Sequence, residues 1–92
     1  MTTLKQSLEQ LLAGDRELYA LLCEAGLVPH DETALVPEHL ETARVAWTLM
    51  HELELNWAGV EVVLHMRSRL VATRRQLDEL ASLVRRMQSE RR

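Results

Sequence analysis

Four histidines and one cysteine are the side chains of this chain best suited to metal binding: His30, His39, His51, His65 and Cys23. A metal site needs a spacing that brings two ligands to one ion, as in Cys-x-x-Cys or His-x-x-x-His. None of the five residues stands at such a spacing from another. We therefore expect no metal site and no cofactor.

Motifs of catalysis are missing from the sequence as well. The chain has three glycines and no Gly-rich phosphate-binding loop, and no serine stands in a Gly-x-Ser-x-Gly turn. The many glutamates fall where predicted helices face solvent. The residues therefore indicate a binding protein, and we expect no enzymatic activity.

Composition indicates one small helical domain. The chain has 92 residues, of which 47% are hydrophobic and only 3% aromatic. A chain of this size buries only about 60% of the surface that its unfolded form exposes, so a second subunit would add stability. We therefore expect an all-α protein that forms a homodimer.

The cellular location is predicted from the same composition. Cys23 has no second cysteine for a disulfide, and residues 1–5 begin no apolar segment of signal-peptide length. No apolar run approaches the roughly 20 residues of a membrane span. We expect a soluble, cytoplasmic protein without membrane contact.

Glycine and aspartate divide the first third of the chain into two short helices. Gly14 and Gly26 suit the left-handed conformation that ends a helix, and Asp15 is a good N-cap. Leucines recur at helical spacing before each glycine. The pattern predicts helices over about 3–13 and 16–25, joined as a helix-turn-helix.

A proline-flanked segment and a third helix follow. Residues 27–29 and 34–36 are predicted as two extended pieces around a turn, which form a minimal wing, or hairpin. Pro37 suits the first position of a helix, where its missing amide hydrogen costs nothing. Apolar residues at helical spacing continue this helix as far as Leu53.

Asn56 begins the longest predicted element. It is a good N-cap, and apolar residues then repeat every seven positions from residue 63, which predicts a coiled-coil seam over more than three heptads. The seam residues are Val63, Met66, Leu70, Leu77, Leu80, Val84 and Met87, with Thr73 in the fourth place. This helix is roughly 45 Å long, too long for residues 1–56 to cover. We therefore expect one domain in two parts, 1–56 and a dimerisation helix over 57–92.

Charge is distributed unevenly along the chain. Residues 1–66 carry three bases against eleven acids, a balance of −8, while residues 67–92 carry eight arginines against three acids, a balance of +5. The acids of residues 15–41 form a predicted partner-binding surface: Asp15, Glu17, Glu24, Asp31, Glu32, Glu38 and Glu41. Such a surface suits a basic protein and repels nucleic-acid phosphates, whereas the C-terminal arginines suit either a helix end or a phosphate.

Trp57 is the eighth candidate for partner binding. It stands at the first position of the long helix, where a large apolar side chain packs against a neighbouring helix. A partly exposed tryptophan is also a frequent anchor for a protein partner. Packing in the core is the favoured role, and the exposure of Trp57 distinguishes the two.

Three stretches resemble one known family. They are Ala25 to Pro29, the helix opened by Pro37, and the run from His51 to Leu64, where His-Glu-Leu is followed by Leu-Asn-Trp and by Gly before an apolar helix. The layout resembles the MerR-type winged helix-turn-helix. More narrowly, it is similar to the CbpM family, modulators of the DnaJ-like co-chaperone CbpA, over about residues 15–90.

The resemblance implies both a fold and a function. The implied fold is all-α, a MerR-like winged helix-turn-helix with a minimal wing and a long C-terminal coiled-coil helix. The implied function is to bind the J-domain of a DnaJ/CbpA-type co-chaperone and to inhibit its stimulation of DnaK. An assembly factor that bridges DnaK and DnaJ, as the thermophile factor DafA does, is the other chaperone role.

A MerR-type transcription factor is the alternative function. Such proteins carry a basic recognition helix and a wing with Arg and Tyr, whereas residues 16–25 begin Arg-Glu-Leu and the turn reads Pro-His-Asp-Glu. A DNA duplex carries one negative charge per about 1.7 Å and would be repelled by this surface. We therefore expect a protein partner in preference to DNA.

Overall fold

Four α-helices and one short 3-10 turn make up the computed structural model, which describes residues 2–91. The elements are α1 (Leu4–Leu11), α2 (Arg16–Glu24), the 3-10 turn (Glu32–Ala34), α3 (Pro37–His51) and α4 (Trp57–Glu90). This part of the chain contains no β-strand. The predicted all-α class is confirmed.

Side-chain caps fix where the first two helices begin. The Thr3 hydroxyl accepts a hydrogen bond from the Gln6 amide at 3.1 Å, and the Gln6 side chain accepts one from the Thr3 amide at 2.9 Å. The Asp15 carboxylate accepts from the Leu18 amide at 3.0 Å. These bonds satisfy amides that have no partner inside the helix, so each short helix starts at a defined residue.

Left-handed residues end both short helices. Ala13 and Gly14 have φ values of 51° and 78°, so α1 ends at Leu11, two residues before the predicted end. Gly26, with φ of 74°, follows α2 as predicted. The left-handed conformation costs a glycine little, whereas Ala13 adopts it at a cost of roughly 1 kcal/mol.

The segment between α2 and α3 does not form the predicted hairpin wing. The amides of Leu27 and Val28 both donate to the Leu22 carbonyl, at 3.0 and 3.3 Å, and so are not free to pair with a second strand. Residues 32–34 form the 3-10 turn, whose Asp31 cap accepts from the Thr33 amide at 3.0 Å. Local hydrogen bonds replace the strand ladder, and the segment is a loop with one helical turn.

Helix α3 is shorter than predicted. Pro37 stands at its first turn as expected, and the Val36 amide donates to His39 Nδ1 at 3.0 Å, an N-terminal contact that sequence analysis missed. The helix ends at His51, and Glu54 has φ of 57°. Leu53 therefore lies outside the helix and is 62% exposed, so its predicted place on the apolar face is wrong.

The core lies where α1 and α4 pack against α3. Two alanines of α3, Ala43 and Ala46, are fully buried, and their small side chains let the neighbouring helices approach closely. The other buried apolar residues come from α1, α2, α4 and the segments that follow α1, α2 and the 3-10 turn: Leu8, Leu12, Leu18, Leu22, Cys23, Val28, Leu35, Val60 and Leu64. This cluster holds α1, α2, the loop and the start of α4 together.

Most of α4 projects from this core. Its 34 residues span roughly 51 Å, and only Val60 and Leu64 are buried, while every residue over 68–91 is exposed. The Cα radius of gyration is 17.2 Å, against about 12 Å for a compact chain of this length. Within residues 2–91, no helix has the combined length and apolarity needed to cross a membrane.

Candidate functional site

Two outward faces carry four of the seven predicted partner-binding acids. Glu17 and Glu24 are exposed and stand two turns apart on one side of α2. Glu38 and Glu41 are exposed and stand one turn apart on α3, where Glu41 also pairs with Arg44 at 2.7 Å. Exposed carboxylates in high dielectric contribute to long-range attraction more than to contact energy.

A groove between α1, α2 and the 3-10 turn contains two more of the acids, Asp15 and Glu32. The groove has a volume of about 510 Å³, and Leu12 and Tyr19 contribute to its apolar wall. Lys5 of α1 forms an ion pair with Glu32 across it. The hydrogen bond and the charge of Glu32 raise the pKa of Lys5, and burial raises the pKa of Tyr19. The groove therefore presents mixed charges and no purely acidic wall.

Asp15 also has a structural role. Besides capping α2, its carboxylate lies 3.2 Å from His51 Nε2 at the end of α3. The ring of His51 stacks on Trp47, with ring centroids 4.7 Å apart. These contacts link the start of α2 to the end of α3, and they leave the Asp15 side chain only 27% exposed. Asp15 is therefore the least accessible of the seven predicted partner-binding carboxylates.

Asp31, the seventh acid, is exposed and caps the 3-10 turn. Its carboxylate accepts from both the amide and the hydroxyl of Thr33, at 3.0 and 2.8 Å. These two hydrogen bonds lower the pKa of Asp31, because they favour the charged carboxylate. The capping geometry leaves this negative charge on the surface of the loop at neutral pH.

Trp57 lies at the turn between α3 and α4. Asn56 caps α4 by accepting from the Gly59 amide at 2.9 Å, as predicted. The Trp57 side chain packs against the core and is partly buried. Trp57 therefore has the expected packing role. Part of its side chain is also accessible, and its role as an anchor for a partner stays a prediction.

The predicted seam lies on the projecting part of α4. Val63 is partly buried against the core end of the helix, and the following seam residues are exposed. Leu70, Leu77 and Leu80 are 69%, 60% and 57% exposed. A single copy of the chain therefore leaves a long apolar stripe in contact with water.

The candidate metal ligands are dispersed through the structure. Cys23 is buried in the core, where burial raises the pKa of its thiol, while His30 and His65 are exposed on the loop and on α4. Nowhere in residues 2–91 do three or more His, Cys, Asp or Glu side chains lie together as a metal ion would require.

Compared with known proteins, the chain matches no protein-family model, no curated protein and no solved structure at a significant level.

Proposed function

We propose that this protein binds the J-domain of a DnaJ/CbpA-type co-chaperone and thereby regulates the DnaK chaperone system. The observation that carries the proposal is the exposure of Glu17, Glu24, Glu38 and Glu41 on α2 and α3. The similarity of Ala25–Pro29 and His51–Leu64 to the CbpM family supports the same partner.

Charge complementarity provides the mechanism of the proposal. In the family that the sequence resembles, the partner presents the basic helix with which J-domains dock on DnaK. Carboxylates around the contact accelerate association with such a helix, and a partly exposed aromatic such as Trp57 slows dissociation. Occupation of the basic helix would lower the stimulation of DnaK. An assembly factor would instead contact the J-domain in a way that leaves this helix open to DnaK.

The proposal includes a homodimer formed through the α4 seam. Met66, Leu70, Leu77, Leu80, Val84 and Met87 are exposed along one side of the helix. Apolar residues at two positions of a heptad are the pattern with which one helix packs against another of the same kind. A second copy of the helix would therefore cover this apolar stripe and remove it from water.

DNA recognition is the weaker candidate function. The second helix of a helix-turn-helix enters the major groove, and the outer face of α2 carries Glu17 and Glu24 beside the single Arg16. The phosphates that flank a groove repel these carboxylates.

An ATPase assay tests the proposed function. Purified DnaK is stimulated by the J-domain protein of the same organism, and this protein is added in increasing amounts. We expect stimulation to fall to the basal rate at saturation if the protein is an inhibitor, and to be retained or to increase if it is an assembly factor. ATPase activity that does not respond, together with no detectable J-domain binding, would contradict both chaperone roles.

A further inference from the structure

Lys5 is the only lysine of the chain, and it lies in the groove between α1, α2 and the 3-10 turn. Its Nζ donates a hydrogen bond to Glu32 Oε1 on the other side of the groove. This hydrogen bond and the charge of Glu32 are the main causes that raise the pKa of Lys5, and the charge of Glu9 adds to them. A cation from the chain itself therefore already occupies the groove, close to two carboxylates.

The ion pair between Lys5 and Glu32 can open without disturbing the fold. Its two side chains are 41% and 56% exposed. An exposed pair contributes little to stability, because water screens the charges and a long side chain has to be held in one conformation. Helix α1 is held by other contacts, namely the cap at Thr3 and the fully buried side chain of Leu8. The Lys5 side chain is therefore free to leave Glu32 while α1 stays in place.

A guanidinium group fits this groove better than the ammonium of Lys5 does. Lys5 is paired with one oxygen of Glu32, whereas a guanidinium can donate to both oxygens of a carboxylate at once. Tyr19 contributes an aromatic ring to the groove wall, and guanidinium groups stack on such rings. An arginine side chain from a partner would therefore gain a second hydrogen bond and a stacking contact.

The charges that line the groove favour a cation once Lys5 has left. Three carboxylates, those of Glu9, Asp15 and Glu32, then stand against one arginine, Arg16. Asp15 already contacts His51, but Glu9 is exposed and belongs to none of the three ion pairs within residues 2–91. Glu9 also stands four positions after Lys5 and so lies on the same side of α1. Glu9 and Glu32 are therefore both available to an incoming cation.

We propose that this groove binds an arginine side chain from a basic protein partner, and that Lys5 is an internal competitor which the arginine displaces from Glu32. The proposal rests on the basic helix assigned to the partner under the proposed function, and it adds where one side chain of that helix docks. Because Lys5 has to leave before the arginine enters, its ion pair with Glu32 lowers the affinity for the partner. Lys5 is thus part of an autoinhibitory contact.

Affinity measurements on charge variants test the competition. Binding of the J-domain is measured at raised salt, where long-range attraction is screened. We expect Lys5→Gln to bind about threefold more tightly than the wild type, because no internal cation competes for Glu32. Lys5→Arg keeps the competing charge and should bind no more tightly than the wild type. Arg75→Gln removes the same charge from the projecting part of α4 and should leave the affinity unchanged.

Two results would overturn the competition. One is an affinity of Lys5→Gln equal to that of the wild type, and the other is equal tightening by Arg75→Gln, which would indicate an effect of net charge alone. The opposite change tests the acidic side of the groove: Glu9→Gln should weaken binding about threefold, since the arginine loses one of its carboxylates. Unchanged binding by Glu9→Gln would contradict the proposed position of the arginine.

A small probe separates the groove from the identity of the partner. Acetyl-arginine amide is titrated into the isotope-labelled protein, with acetyl-citrulline amide, which is neutral and nearly the same in shape, as the matched control. We expect saturable chemical-shift changes at Glu9, Tyr19 and Glu32 with the arginine probe alone, and tighter binding to Lys5→Gln. Equal changes with both probes, or none, would overturn the proposal. Groove binding of the arginine probe without any J-domain binding would support the groove and contradict the proposed function.

Discussion

At the scale of single residues, a few polar side chains determine where the helices begin and how they are held. Asp15 both caps α2 and contacts His51, 36 residues further along the chain. An exposed hydrogen bond of this kind contributes only about 1 kcal/mol, and it adds a polar link between α2 and α3 to their packing in the core. The caps therefore define the framework on which the acidic faces of α2 and α3 stand.

Replacing two of the glycines by alanine should change the free energy of unfolding in opposite directions. Gly26 has φ of 74° and open space around it, so Gly26→Ala should lower the free energy of unfolding by roughly 1 kcal/mol through backbone conformation alone. Gly59 lies inside α4, and a Cβ there would meet Asn56 Oδ1 at an ordinary 3.5 Å. Gly59→Ala should therefore raise the free energy of unfolding by about 0.5–1 kcal/mol.

Urea unfolding followed by circular dichroism measures both changes. Protein concentration has to be equal in all samples, because self-association would add to the apparent stability. Changes of the same sign in the two variants would contradict the backbone conformations described for Gly26 and Gly59.

Asp31 gives a prediction for pH. Its pKa in the folded chain is lower than the ordinary 3.8, so its cap stabilises the fold above that pH, and the stabilisation is lost as pH falls through the folded pKa. Asp31→Asn keeps an oxygen that accepts from Thr33 but does not titrate. We expect the stability difference between the wild type and Asp31→Asn to be constant from pH 7 to about 5 and to change below about 4. A stability difference between the two proteins that stays constant down to pH 3 would contradict the lowered pKa.

At the scale of elements, the helices were predictable wherever a cap or a glycine coincided with hydrophobic periodicity. Asp15, Asn56 and Gly26 occupy the predicted cap positions. The absence of the predicted hairpin could not be foreseen, because an extended backbone at Leu35 and Val36 does not show whether a second strand pairs with them. The Leu22 carbonyl accepts hydrogen bonds from the Leu27 and Val28 amides, which are then not free to pair with a second strand.

The candidate surfaces were predictable to a lesser degree than the helices. Acid-rich composition indicated the surface, but Asp15 and Glu32 are engaged with His51 and Lys5 through contacts between residues far apart in sequence. Pairings of this kind depend on how helices pack, and helical periodicity carries no information about them. Exposure of Glu17 and Glu38, by contrast, follows directly from their positions on amphipathic helices.

The long helix gives a prediction about self-association. Leu77 lies in the middle of the seam and is 60% exposed in one copy, so Leu77→Glu would place a charge inside the interface of a dimer. We expect sedimentation to show a shift from dimer to monomer. Ser82→Glu is the control, since five residues correspond to roughly 140° around the helix and point the new charge away from Leu77. A Leu77→Glu variant that sediments with the same mass as the wild type would contradict dimerisation through the seam.

At the scale of the whole molecule, the helical core and the projecting α4 separate two kinds of surface. The core end carries the acidic faces of α2 and α3, and the projecting end carries the apolar stripe and most of the arginines. The longest dimension of the chain, 58 Å, is close to the length of α4 itself. Partner binding and self-association can therefore use different parts of the molecule.

Charge reversal on α3 tests this division. Glu38→Lys with Glu41→Lys should slow association with a J-domain and reduce its dependence on salt, while the circular dichroism spectrum is unchanged. Asp78→Lys with Glu79→Lys makes the same change of charge on α4 and should affect the association rate less. Stopped-flow kinetics at several salt concentrations compares the two. Equal rates for the α3 variant and the wild type would move the binding surface away from α3, toward Trp57.

Calorimetric titration of this protein with the purified J-domain of the same organism tests the central claim most directly. A random DNA duplex is titrated in parallel at physiological salt. We predict saturable binding of the J-domain with a micromolar or lower dissociation constant, and no heat of binding with DNA. Saturable binding of the duplex without binding of the J-domain would contradict the account and assign the arginines of α4 to nucleic-acid contact.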